Sequence, residues 1–266
     1  MYEYFAAILI GIVEGLTEYI PVSSTGHMII VGDMIGFTGV KASVFEVFIQ
    51  LGAILSVLVV YRENFARMIR RENWLQKRGT SCYNLALAML PAMAVGYLLH
   101  GFIKTYLFGW QTVVIGLVAG ALLMLAAEKS GVRVRVDDVN QITTAQAVLI
   151  GLFQVLSLWP GFSRSGSTIS GGILIGITRK AAADFTFIMA APLMLVACLY
   201  DFLKIYRYLT WNDLGIFAIG FVTAFAVAYV SVLWFLRFLN CASLTGFAYY
   251  RFGLAAVATL YFLIIH

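Results

Sequence analysis

Between Glu14 and His27 the chain reads Glu14-Gly15-Leu16-Thr17-Glu18-Tyr19-Ile20-Pro21-Val22-Ser23-Ser24-Thr25-Gly26-His27, with apolar residues on either side. Carboxylates in such surroundings are costly unless something charged meets them. Glu14 and Glu18 stand four residues apart, so on a helix they share one face. Pro21 ends that helix, since it lacks a donor and clashes with the preceding turn. After it, Ser23, Ser24, Thr25 and Gly26 offer hydroxyls and freed backbone N–H groups, and His27 closes the run. These are the groups of acid–base or nucleophilic chemistry on an anionic substrate.

A second run, Trp159-Pro160-Gly161-Phe162-Ser163-Arg164-Ser165-Gly166-Ser167-Thr168, carries an arginine inside another apolar stretch. A guanidinium there needs anions, from the protein or from a ligand, and its planar fork suits phosphate oxygens. Ser163, Ser165, Gly166 and Ser167 resemble a nest that cradles phosphate at a helix N-terminus. The plainer reading is an ion pair of Arg164 with Glu14 or Glu18, which leaves two hydroxyl-rich runs without a role. The candidate catalytic set is Glu14, Glu18, Ser24, His27 and Arg164. Ser23, Thr25, Gly26, Ser163, Ser165, Gly166 and Ser167 join Arg164 as candidate substrate ligands. Glu46 and Gln50, also four apart, are either an interfacial polar face or partners of the site.

The elements that must position these residues belong to a membrane protein. Of 266 residues 62% are hydrophobic and only 12% charged, with a mean hydropathy of +0.91. Soluble domains carry about twice that charge fraction. The net charge of +5 is gathered in loops, as orientation signals are, and is not a nucleic-acid footprint. Cys82, Cys198 and Cys241 are too dispersed for a metal site and read as packing residues. The start, Met1-Tyr2-Glu3-Tyr4, has no basic leader region, so no cleavable signal is expected.

Ten apolar segments are predicted, at about 4–20, 28–37, 44–61, 84–103, 110–128, 145–159, 169–177, 183–203, 214–239 and 247–265. Six are long enough to span: 44–61, 84–103, 110–128, 183–203, 214–239 and 247–265. The other four form two broken pairs, the pattern of re-entrant elements around a site. The pairs correspond: Gly151 − Gly11 = 140, Gly166 − Gly26 = 140 and Phe185 − Phe45 = 140. One all-α polytopic domain over 1–266 is therefore expected, built of two repeats, about 1–128 and 140–266. Each repeat has a re-entrant pair plus three spans. An odd number of spans makes the repeats inverted and lets the broken tips meet near the midplane.

One face gathers Arg62, Arg67, Arg70, Arg71, Lys77, Arg78, Lys129, Arg133, Arg135, Arg179, Lys180, Arg237 and Arg251. The other keeps Lys41, Lys104, Lys204 and Arg207, with Arg164 alone placed deep. The thirteen mark the cytoplasmic side, so both termini face outward. Asp184 reads as cytoplasmic rim, and Tyr61, Trp110 and Trp211 as interfacial anchors. Neither His100 nor His266 fits a pattern.

The strings Glu14–Glu18, Pro21–His27 and Pro160–Gly166 resemble the bacterial undecaprenyl-pyrophosphate phosphatase family, known also for bacitracin resistance, and the likeness covers nearly the whole chain. The resemblance implies an inner-membrane enzyme that dephosphorylates an isoprenyl pyrophosphate lipid and so recycles the carrier for cell-wall glycans. It implies an active site open to the outer, periplasmic side and dependence on a divalent metal. Mg²⁺ or Ca²⁺ held by Glu14 and Glu18 suits oxygen ligands; otherwise the pair orients His27. His27 is expected as nucleophile or base, with Ser24 the alternative nucleophile. The expected partners are the lipid substrate and the bilayer, with no nucleic acid; a homodimer stays open. The rival class is a transporter or flippase of the monophosphate carrier, since inverted repeats with broken helices also build transporters.

Overall fold

The computed structural model describes residues 2–205 and 213–265; Arg207, Trp211 and His266 lie outside them. Twelve α-helices are formed among the described residues: α1 Tyr2–Thr17, α2 Ser24–Met34, α3 Val40–Val60, α4 Arg62–Ile69, α5 Cys82–Leu98, α6 His100–Phe102, α7 Trp110–Lys129, α8 Thr144–Val155, α9 Arg164–Leu174, α10 Arg179–Ile205, α11 Leu214–Phe238 and α12 Thr245–Ile265. The protein is an all-α polytopic membrane protein. Five helices (α3, α7, α10, α11 and α12) are long and apolar enough to span. The sixth expected span, 84–103, is not one straight helix. It is α5 and α6, the latter continuing through a π-turn at Ile103–Leu107, bent by 68°. The break falls at Leu99, between Gly96 and Gly101, the kind of place where helices kink.

Pro21 acts as expected. Its ring would clash with the carbonyl four residues earlier, and α1 stops at Thr17. The Glu18 amide still donates to the Glu14 carbonyl at 3.0 Å, so the two carboxylates keep helical spacing. The hydroxyl runs differ from expectation. Ser24–Gly26 and Arg164–Thr168 are not irregular loops but the first turns of α2 and α9, which start four to five residues before the apolar segments do.

Close packing depends on small residues. A side chain at Gly15 would stand 2.8 Å from the Ala224 carbonyl of α11, and one at Gly151 would strike the Ala88 carbonyl of α5. The contacts also fix direction. Gly11 meets Gly220 and Gly15 meets Ala224, so α1 and α11 run parallel. Asn84 pairs with Thr144, and Gly151 lies on Ala88, so α5 and α8 run parallel as well. Gln50 meets Cys198 while Tyr61 meets Asp184, so α3 and α10 are antiparallel. Trp110 stacks on Phe262 and Met124 meets Arg251, so α7 and α12 are antiparallel too. Counterpart spans thus run in opposite senses, and each short first helix packs on the second span of the other half. That is the interlocked geometry of inverted repeats, and it brings the tips at Pro21 and Pro160 together.

Bridges between Arg78 and Thr143 and between Val136 and Ile177 gather the basic loops at one end, where Arg179 Nε donates to Glu128 at 2.8 Å. Tyr61 and Asp184 share that end through a 2.6 Å hydrogen bond. At the opposite end Lys41 pairs with Glu3 and Asp213, and Lys104 with Asp201. Arg251 corrects the charge reading. It is fully buried, so twelve of the thirteen residues assigned to the basic face remain there, and Arg164 is not alone at depth.

With Cys82, Cys198 and Cys241 replaced, single cysteines in 62–80 and 128–141 are expected to react with impermeant thiol reagents only from the cytoplasmic side of intact membranes. Labelling of 62–80 from outside would overturn that orientation.

Candidate active site

Each broken tip ends in a serine of unusual backbone. Ser23 and Ser163 both have φ 71°, the only positive values at non-glycine positions among the described residues. Residues held in such sparsely populated backbone cost about 1–3 kcal/mol each. Each serine also caps the helix that follows: Ser23 Oγ accepts from the Gly26 amide at 3.3 Å and Ser163 Oγ from the Gly166 amide at 3.2 Å. The amides of Gly26 and Gly166, expected as phosphate ligands, are therefore already used. Earlier amides of each first turn, those of Ser24, Thr25, Arg164 and Ser165, have no acceptor inside their helices.

The two tips are joined at Glu18. Ser24 Oγ donates to Glu18 Oε2 at 2.6 Å, and Arg164 Nη2 donates to Glu18 Oε1 at 2.7 Å. The carboxylate side chain is only 7% exposed and the arginine 14%. Removing one partner of such a buried pair costs about 3–5 kcal/mol, because the other charge is stranded. The guanidinium carbon also lies 5.9 Å from the centre of the Tyr19 ring. Arg164 Nε and Nη1 are buried without partners, and so is Glu14 Oε1.

A cavity of about 240 Å³ opens over this cluster, lined by Glu18, Ser23, Ser24, Thr25, Ser163 and Arg164 among others. It adjoins a second, of about 630 Å³, and the two share Ser24, Thr25 and Gln50. The larger one takes in Glu14 and Glu46 and reaches Thr38, Lys104 and Asp201, at the end away from the basic loops. Glu46 and Gln50 therefore belong with the site. Ser165 and Ser167 do not face it. Both are buried, Ser165 Oγ against Ser163 Oγ at 3.3 Å and Ser167 Oγ against the Arg164 carbonyl at 3.3 Å.

His27 is one turn from Ser24 but is held elsewhere. Its Nδ1 lies 2.8 Å from the Ser23 carbonyl and its Nε2 2.8 Å from the Tyr250 hydroxyl, with the two rings stacked 5.7 Å apart. A carbonyl only accepts, so Nδ1 carries the proton. In the neutral ring Nε2 then accepts from the tyrosine O–H.

A family profile described as Bacitracin resistance protein BacA matches residues 7–257. The chain belongs to the BacA family. It is 45% identical over 265 residues to undecaprenyl-diphosphatase 1 of Bacillus cereus, covering 99% of this chain and 100% of that protein. The same identity and coverage hold for undecaprenyl-diphosphatase 1 of Bacillus anthracis. The undecaprenyl-diphosphatase of Anoxybacillus flavithermus is 46% identical over 264 residues, 96% of each chain.

In this BacA chain the structure thus gathers Glu18, Ser24, Thr25 and Arg164 around one cavity, with Glu14 beside them in the next. Two residues around the site escaped the sequence reading. Tyr250 is one of 14 tyrosines and carries no local signal. Arg251 did carry one, as a charge within an apolar segment, but the sequence reading counts it with the basic face.

Arg164→Lys keeps the charge and loses the planar fork, so kcat/KM is expected to fall at least about 100-fold, roughly 2.7 kcal/mol, in a folded protein. Near-normal turnover would rule out a bidentate contact.

Proposed function

We propose that the chain is an undecaprenyl-diphosphatase: a membrane hydrolase that converts undecaprenyl pyrophosphate to undecaprenyl phosphate and phosphate, recycling the carrier lipid for cell-wall glycans. The observation that carries the proposal is the Ser24–Glu18–Arg164 cluster on a membrane-embedded cavity. The names of the relatives agree with it. Arg164 Nε and Nη1 and the first-turn amides are donors for the terminal phosphate, and the walls of the larger cavity, Met28, Ile29, Phe37 and Phe108 among them, receive the start of the isoprenyl chain.

Ser24 is the better placed nucleophile, because its hydroxyl already points its proton at Glu18 Oε2. In the first step Ser24 Oγ bonds to the terminal phosphorus as its proton passes to Glu18. The bridging P–O bond breaks, and undecaprenyl phosphate leaves with that bond's electrons and with the proton from Glu18, which becomes a carboxylate again. In the second step water attacks the phosphoserine, Glu18 takes a proton from it, and phosphate is released as Ser24 regains its own. Arg164 and the amides offset the charge, which is most of what such transfers need. His27 was the first expectation for base or nucleophile. Its Nε2 is occupied by Tyr250, so the arrangement favours a supporting role on the Ser23 turn.

A divalent cation stays part of the proposal with altered donors. Among the described residues no three His, Cys, Asp or Glu side chains come together as a metal set. Both Glu18 oxygens are engaged, whereas Glu14 Oε1 is buried and unpaired. Glu14 would anchor Mg²⁺ or Ca²⁺, with Glu46 and Gln50 lining the same cavity. The ion would supply further neutralisation of the pyrophosphate. Residence in the bacterial inner (plasma) membrane, with the site open to the outer side, is likewise proposed. It is supported by the larger cavity opening opposite the basic loops.

Purified protein in detergent, where no compartments exist, is expected to release phosphate from an isoprenyl pyrophosphate; no release would overturn the enzyme reading in favour of transport. A quenched reaction with labelled substrate is expected to leave acid-stable label on Ser24 and none in Ser24→Ala, whereas acid-labile label on His27 would reverse the two roles.

Glu14→Gln is expected to lower turnover at least about tenfold, roughly 1.4 kcal/mol, and to regain part of it at higher Mg²⁺ or Ca²⁺. Turnover of the wild type unchanged by rigorous chelation would remove the metal from the account.

A further inference from the structure

We infer that Arg251 is a positioning residue that clamps the turn presenting Arg164, an inference that rests on the phosphatase reading for its effect on turnover. Arg251 is fully buried, about two turns into the span candidate Thr245–Ile264. Its Nη2 donates to the carbonyls of Gly161 at 2.8 Å, Phe162 at 2.9 Å and Gly116 at 3.2 Å, and its Nη1 lies 3.5 Å from Met124 Sδ. No hydrogen bond or ion pair links it to a carboxylate among the described residues, so its charge is met by backbone dipoles. A charge kept at depth on those terms is a poor packing residue and a good holder of carbonyls.

The carbonyls it holds belong to the turn that needs holding. Gly161 has φ 92° and Ser163 φ 71°, so two of the three residues before Arg164 are in the left-handed region. Such backbone persists only where its surroundings over-determine it. The neighbours are cut to admit the clamp. A Cβ at Gly120 would strike Arg251 Nη2 and the Phe162 carbonyl, and one at Gly116 would strike the Pro160 carbonyl. A Cβ at Gly166 would stand 3.0 Å from Arg251 Nη1. Gly166, read from the sequence as a phosphate ligand, makes room for this guanidinium instead. The direction of Arg164 towards Glu18 is then set from α12, through a turn that Arg251 ties to α7.

The test measures two things on the full-length protein in detergent: backbone hydrogen exchange over 160–168 by mass spectrometry, and kcat and KM for an isoprenyl pyrophosphate. Arg251→Met is expected to speed exchange at Gly161–Ser165 at least tenfold and leave α10 unchanged, and to lower kcat/KM at least tenfold with KM raised. Arg251→Lys, keeping charge and some donors, is expected to fall between Met and wild type in both readouts. Should Arg251→Met not fold, Arg251→Lys carries the same comparison with wild type. Wild-type exchange in whichever variant folds would overturn the clamp, and faster exchange with unchanged kcat and KM would overturn its part in the site. If exchange rises but even the wild type releases no phosphate, the clamp stands and the phosphatase reading fails.

Discussion

Glu18 and Arg164, a carboxylate and a guanidinium from opposite halves of the chain, meet where neither could stay ionised at low cost without the other. Separating them would strand a charge among apolar helices, so the contact constrains everything that carries it. Both halves must break their first helix at the same depth, and both tips must point inward. Each tip must also be closed by a serine that turns the chain and caps the next helix. The matching backbone at Ser23 and Ser163, with the same cap to Gly26 and Gly166, is how that constraint looks locally. The repeats are alike in backbone and different in chemistry. At the first position of the returning helix one half places Ser24 and the other Arg164, and Glu18 joins them.

The rest of the fold serves this meeting. Parallel packing of α1 on α11 and of α8 on α5 locks each broken pair into the other half, and small residues let the backbones approach. Three of the seven buried side-chain polar atoms that lack a partner among the described residues, Glu14 Oε1 and Arg164 Nε and Nη1, lie at the site. Buried polar atoms left unpaired are costly. Here they are what an oxygen-rich anion or a cation would satisfy, and so the fold holds binding energy in reserve for a ligand.

Much of this was legible in the sequence because charge and hydroxyl stand out against apolar segments. Glu14, Glu18, Ser24 and Arg164 are visible for that reason, and the constant offset of 140 exposes the repeat. What was hidden depends on backbone angles and on contacts far apart in the chain. That Ser23 and Ser163 also cap the helices that follow was hidden, because a cap shows itself only through φ. Ser165 and Ser167 read as ligands because the run was taken as a loop, whereas each residue of a helix steps about 100° around the axis, and both side chains are buried away from the cavity. Tyr250 reaches His27 across 223 residues, and no local pattern announces that. Arg251 was misplaced because a charge near a segment edge is usually a solvated end. The bend at Leu99 was missed because its flanking glycines also suit an unbroken membrane helix.

The central claim is that Glu18 and Arg164 act as one unit spanning the two repeats. It is tested by kcat/KM of the wild type, Glu18→Gln, Arg164→Lys and the double variant, each checked for folding. The account expects each single change to remove most activity and the double variant to be no worse than the poorer single one. Losses that multiply across the cycle would contradict it, since the two side chains would then serve the reaction independently.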